Sequence, residues 1–137
     1  MTFDHGQRVR VVIADDHPQV RTAFERLLRT CDVVAAVSNG YDAVEAIVRL
    51  KPDVAIVDLM MPDIDGLEVC RRVKGLMSQT QIVVVTAFDD ALVQAAALEA
   101  GASAFVPKYA APGTLEATVR RIAADGNGDG SASGARG

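Results

Sequence analysis

At 137 residues, half of them hydrophobic but only 4% aromatic, the chain has room for one domain with an aliphatic core. A net charge of −4 and scattered basic residues, doubled only at Arg71-Arg72 and Arg120-Arg121, argue against a nucleic-acid face on this segment. Cys31 and Cys70 make neither a disulfide framework nor a metal site, no apolar run is long enough to span a bilayer, and the polar N-terminus lacks a signal peptide. Cytoplasmic residence, with no membrane partner, is the expectation.

In chain order, Val9–Ala14 predicts a first strand that delivers Asp15 and Asp16. Pro18 opens the first helix, where a missing N–H costs nothing, and Val20, Ala23, Phe24, Leu27 and Leu28 recur at helical spacing. Asp32–Val37 predicts the second strand and Ser38-Asn39-Gly40 a turn. Ala43, Val44, Ile47, Val48 and Leu50 stripe the second helix, which Pro52 stops. The third strand, Asp53–Asp58, ends in a carboxylate before the break at Met61-Pro62-Asp63-Ile64-Asp65-Gly66. Leu67, Cys70, Val73 and Met77 predict the inner face of the third helix.

The fourth strand, Gln81–Val85, ends in Thr86. Leu92, Val93, Ala96, Ala97 and Ala100 mark a weakly apolar fourth helix that Gly101 closes as a left-handed cap. Ala104–Pro107 predicts the fifth strand, ending at Lys108, and Leu115, Val119, Ile122 and Ala123 mark the fifth helix. From Asp125 to Gly137 the composition turns to Gly, Asp and Ser, which reads as a flexible tail or a linker.

Five strands alternating with five helices predict an α/β domain, a (βα)5 doubly wound parallel sheet. Ligands of such sheets bind beyond the strands' C-terminal ends. Parallel strands bring Asp15, Asp16, Asp58, Thr86 and Lys108 to that one edge. Two carboxylates 4 Å apart repel by about 4 kcal/mol at an effective dielectric near 20, so three need a cation. An all-oxygen donor set with retained waters suits Mg²⁺.

Taken singly, each residue has an ordinary use. Asp15 and Asp16 are good helix caps, Thr86 is a routine strand residue, and Lys108 alone is a solvated lysine. Asp63 and Asp65 are assigned to the turn. His17 is read as a loop residue at a helix start, since one histidine is not a ligand set.

The segments Val11-Val-Ile-Ala-Asp-Asp-His-Pro18, Asp58-Leu-Met-Met-Pro-Asp-Ile-Asp-Gly66, Val85-Thr-Ala-Phe-Asp-Asp90 and Ala100-Gly-Ala-Ser-Ala-Phe-Val-Pro-Lys108 resemble the receiver domain of two-component response regulators. The resemblance covers about residues 8–124, leaving 125–137 as the tail or truncated linker, and is nearest to the NarL/FixJ subgroup. It implies a flavodoxin-like strand order 2-1-3-4-5. It implies that Asp58 takes a phosphoryl group from a sensor histidine kinase. Asp16 would ligate Mg²⁺ directly, Asp15 mainly through water, and the Met60 carbonyl would be the third protein ligand. Lys108 would pair with the phosphoryl oxygens and Thr86 would donate a hydrogen bond to one. Phe105 would be the aromatic switch residue, although an aromatic in a strand is equally plain core.

The implied output is homodimerisation and control of transcription through a C-terminal helix-turn-helix domain. A stand-alone receiver acting by protein contact is the alternative. The chain would then not be an enzyme beyond phosphotransfer to Asp58 and its reversal by water. A haloacid-dehalogenase-like phosphatase also uses Asp, Thr, Lys and Mg²⁺, but needs an acid where Met60 stands. A flavodoxin-like electron carrier needs a phosphate cradle where Asp15-Asp16-His17-Pro18 stands. Two departures from the receiver pattern are expected to matter. Tyr109, not Pro, follows Lys108, which argues against a cis bond there. Met60 and Phe88, both bulky and apolar, flank the site and would slow water attack on an acyl phosphate.

Overall fold

The computed structural model describes residues 7–87 and 90–127. Its elements are β1 (Arg10–Ala14), α1 (Pro18–Leu27), β2 (Asp32–Val37), α2 (Gly40–Leu50), β3 (Val54–Asp58), α3 (Gly66–Gly75), β4 (Gln81–Thr86), α4 (Ala91–Ala100), β5 (Ala104–Pro107) and α5 (Pro112–Asn127). The strands form one parallel sheet in the order β2-β1-β3-β4-β5, the flavodoxin-like order expected.

Each central strand is buried on both faces, and successive residues feed opposite cores. Val11, Ile13, Val54, Ile56, Val83, Val85, Ala104 and Val106 pack with Phe24 and Leu28 of the α1 segment and with Leu115, Val119 and Ile122 of α5. Val12, Ala14, Ala55, Val57, Ile82 and Val84 pack on the other side with Ala43, Ile47, Val69, Cys70, Val73 and Ala97 of α2, α3 and α4. Burying one such Val or Ile side chain contributes roughly 1.5–3 kcal/mol, which makes this double core the main source of cohesion. Asp53 sits just before β3, and its carboxylate accepts the Arg10 N–H at 2.8 Å, tying β1 to β3 at their feet.

Several apolar residues that mark the predicted helices are exposed. Ala23 and Val48 are exposed, Leu92 is 81% exposed and Met77 84% exposed. Met77 is not helical: α3 stops at Gly75, and Met77 adopts a left-handed φ of 58° that swings it off the helix face. Leu92 does lie in α4, but that helix is apolar nearly all round and spacing chooses no face; of its residues only Ala97 is fully buried. Gly101 does close α4 in the left-handed region, at φ 114°. At the C-terminus α5 carries on through Asp125 to Asn127, past the point where composition suggested coil. Residues 128–137 lie outside the described residues.

Candidate functional site

Register builds the site. Ala14 pairs with Val57, so the next residues, Asp15 and Asp58, leave adjacent strands side by side. Val85 pairs with Asp58 and Pro107 with Thr86, which brings Thr86 and Lys108 to the same rim. This is the point where strand order reverses, the usual ligand crevice of an open α/β sheet. Side-chain alternation divides the rim. Asp15, Asp58 and Lys108 follow the parity of the α1/α5 core, whereas Thr86 shares the parity of Phe105, toward α4.

Asp15, Asp58 and Thr86 are buried. Lys108 joins the two acids: its Nζ lies 2.9 Å from Asp15 Oδ2 and 3.1 Å from Asp58 Oδ2. Burial pushes the Asp58 carboxyl above its ordinary range; the Lys108 hydrogen bond opposes this without reversing it, and the Asp15 charge adds to it. For Lys108, burial works downward, but the contacts with Asp15 and Asp58 outweigh it and hold the ammonium up. The lysine is therefore charged, and one cation serves two carboxylates.

Asp16 completes the acidic group. Asp15 Oδ2 and Asp16 Oδ1 are both buried and accept no well-directed hydrogen bond, although Lys108 is near the first and His17 Nδ1 lies 3.1 Å from the second. Donor atoms of Asp15, Asp16, His17 and Asp58 all lie within 4.8 Å of one another. Three carboxylates share one ammonium and Asp16 Oδ1 accepts no hydrogen bond, an excess of negative charge and acceptors that a divalent cation satisfies, so the residues fit Mg²⁺. The Met60 N–H reaches back to Asp58 Oδ1 at 3.4 Å, and its side chain is 60% exposed at the rim. Phe105 is half-buried against the α2–α4 core. Phe88 lies outside the described residues, among which there is no cis peptide bond, so Lys108–Tyr109 is trans.

The turn acids do more than make a turn. Asp65 caps α3, accepting the Glu68 N–H at 2.9 Å. Asp63 reaches across to α2 and accepts the Gly40 N–H at 2.8 Å. His17 is the N-cap residue of α1, as expected of a helix start, yet its ring turns into the acidic group. The adjacency of His17 to Asp16 is legible in the sequence and invites a metal-ligand reading; the turn of its ring toward both acids is not. Nothing in the sequence could have paired Asp63 with Gly40.

The family described as response regulator receiver domain matches residues 11–120. The chain belongs to this family. Response regulator MprA of Mycobacterium leprae is 37% identical to this receiver over 117 residues, 85% of the chain and 50% of MprA. MprA of Mycobacterium tuberculosis is similar to the same degree, and the chain spans about half the length of these curated relatives. Among solved structures, the receiver domain of the response regulator NarL from Mycobacterium tuberculosis superposes with a TM-score of 0.83 at 32% identity, covering 85% of this chain and 97% of that one. A LuxR-family regulator from Aurantimonas sp. has a TM-score of 0.83 at 29% identity, covering 87% of both chains. The structural neighbours thus include the expected subgroup, while MprA stands among the sequence relatives. The receiver is a two-component signalling module, and no helix among its described residues is long and apolar enough to cross a membrane.

Proposed function

We propose that Asp58 is the phosphoacceptor. One of its carboxylate oxygens attacks the phosphorus of a sensor kinase's phosphohistidine. The N–P bond breaks, its electron pair returns to the imidazole, and an acyl phosphate forms on Asp58. The observation that carries this reading is the single ammonium of Lys108 between Asp15 and Asp58, at 2.9 and 3.1 Å, at the rim where the strand order reverses. Phosphoryl transfer needs placement and charge neutralisation more than covalent assistance. Lys108 is already paired with Asp58 and is placed to follow the new charge onto the phosphoryl oxygens.

Asp16, Asp58 and the Met60 carbonyl would hold Mg²⁺, with Asp15 acting mainly through water. When bound, the ion would supply further positive charge for the transferring group. Thr86 would donate its hydroxyl to a phosphoryl oxygen. Its shared parity with Phe105 supports a switch in which the two residues move together on the α4 side. The receiver domain of RstA from Klebsiella pneumoniae, 33% identical with a TM-score of 0.76, is described as BeF3-activated, which supports the same chemistry here.

The output belongs to the proposal too. Control of transcription through a DNA-binding domain is supported by a LuxR-family neighbour from Staphylococcus aureus described as a DNA-binding response regulator; homodimerisation on phosphorylation and cytoplasmic residence are part of the same proposal. In this reading residues 8–124 are the receiver unit and 125–137 lead into a linker; protein contact by a stand-alone receiver is the alternative. Incubation with Mg²⁺ and acetyl phosphate, followed by intact mass, tests the chemistry. One added phosphoryl group is expected, absent in Asp58→Ala and in EDTA. An unmodified wild type, or a modified Asp58→Ala, defeats the reading.

A further inference from the structure

We propose that His17 is a nitrogen ligand of the cation site and biases it toward transition metals over Mg²⁺. The inference rests on the phosphoacceptor reading, because the carboxylates His17 joins are the ones assigned there to the metal.

The geometry is local and specific. His17 Nδ1 lies 3.1 Å from Asp16 Oδ1 and 3.3 Å from Asp15 Oδ1. The His17 N–H donates to Asp15 Oδ1 at 2.9 Å, which holds the residue over the acids. The side chain is 62% exposed, and what the ring touches on its Nδ1 side is the Asp15 and Asp16 carboxylates. The ring owes nothing to the helix, since His17 makes no side-chain cap hydrogen bond to α1. A ring with solvent open to it nonetheless aims Nδ1 at a buried, undonated carboxylate oxygen, Asp16 Oδ1.

The chemistry follows from the donor set. A neutral imidazole protonated on Nε2 offers the Nδ1 lone pair. Around an ion with bonds of roughly 2.1 Å, neighbouring donors are about 3 Å apart and opposite ones about 4.2 Å. Donors already within 4.8 Å of one another need shifts of less than an ångström to converge. Mg²⁺ gains little from the nitrogen, because it favours oxygen and keeps its waters. Mn²⁺ and Ni²⁺ accept imidazole readily, and affinity for a mixed N/O site rises along that series. Asp16 and His17 are adjacent in sequence, so the nitrogen joins the set without distorting the sheet.

The test uses the chain in a His5→Ala background, which leaves His17 as its one histidine. Ni²⁺ and Mg²⁺ are titrated calorimetrically into this protein and into His17→Gln and His17→Asn; Asn is the better helix cap and controls for the start of α1. Both substitutions are expected to weaken Ni²⁺ binding about tenfold or more while changing Mg²⁺ affinity by less than about twofold. Pulsed EPR of bound Mn²⁺ should show ¹⁴N modulation that both substitutions remove. Unchanged Ni²⁺ affinity, equal loss for both ions, or persisting modulation overturns His17 as a ligand and leaves the carboxylate site standing. Mg²⁺ affinity indifferent to Asp16→Ala defeats the carboxylate site itself, and the phosphoacceptor reading with it.

Discussion

Asp63 and Gly40 are joined by a 2.8 Å hydrogen bond from the glycine N–H to Asp63 Oδ1, fastening the loop that leaves Asp58 to the start of α2. The other carboxylate oxygen accepts from Tyr41 N at 3.3 Å. Asp63 holds a left-handed φ of 66° to do this, and a Cβ on Gly40 would stand 2.2 Å from the Ile64 carbonyl oxygen. The β3–α3 loop is thus clamped where it carries Met60 past the site.

Removing the clamp should cost stability. Asp63→Ala loses the hydrogen bonds to Gly40 and Tyr41 and puts a β-carbon with no compensating polar group at positive φ, for about 2 kcal/mol in all. Asp63→Asn tolerates that conformation and keeps one acceptor, so it should cost under about 1 kcal/mol. Gly40→Ala should cost about 1–3 kcal/mol through overpacking against Ile64. Urea denaturation measures all three. An Asp63→Asn protein as weak as Asp63→Ala would argue against the Asp63–Gly40 hydrogen bond as the source of the loss.

The raised Asp58 carboxyl makes a pH prediction with a definite sign. The native state holds this proton more tightly than the unfolded chain does, so Asp58 favours folding most below the ordinary aspartate value of 3.8. That contribution is lost as pH rises through the raised native value, and at neutral pH the ionised side chain opposes folding. Asp58→Asn should therefore stabilise the metal-free protein at pH 7 and have less effect near pH 4. A gain from Asp58→Asn that is no larger at pH 7 than in acid would contradict the burial argument.

Asp16→Ala should raise the metal-free melting temperature by relieving repulsion from Asp15 and Asp58. It should also abolish the stabilisation by Mg²⁺, which in the wild type grows as RT ln(1 + [Mg²⁺]/Kd), about 2.7 kcal/mol at one hundred times Kd. Thermal scans across a Mg²⁺ series measure both effects. Equal Mg²⁺ gains in the two proteins would remove Asp16 from the ligand set.

Met60 projects an apolar side chain, 60% exposed, two residues past Asp58. It should hinder the water that hydrolyses an acyl phosphate there. Met60→Asn offers a polar group that can orient water, and the phosphorylated form should decay several-fold faster, roughly the 1 kcal/mol worth of one hydrogen bond. An unchanged decay rate by intact mass would reject the idea.

The strand–helix alternation, the apolar strands and the residues just past their ends were readable in the sequence, because periodicity and chain breaks are local properties that survive without tertiary context. That is why Asp15, Asp16, Asp58, Thr86 and Lys108 could be assigned to one edge before any distance was known. The inner face of α4 was not readable, since a helix apolar all round carries no directional pattern. Met77 left the α3 face because a single left-handed residue ended the helix, a choice made by the closing turn and not by spacing. The Lys108 bridge, the Asp63–Gly40 clamp and the inward turn of His17 were decided by tertiary structure alone. Each joins groups whose meeting depends on register or ring orientation, and a hydrogen bond or ion contact tolerates only a few tenths of an ångström that no residue pattern encodes.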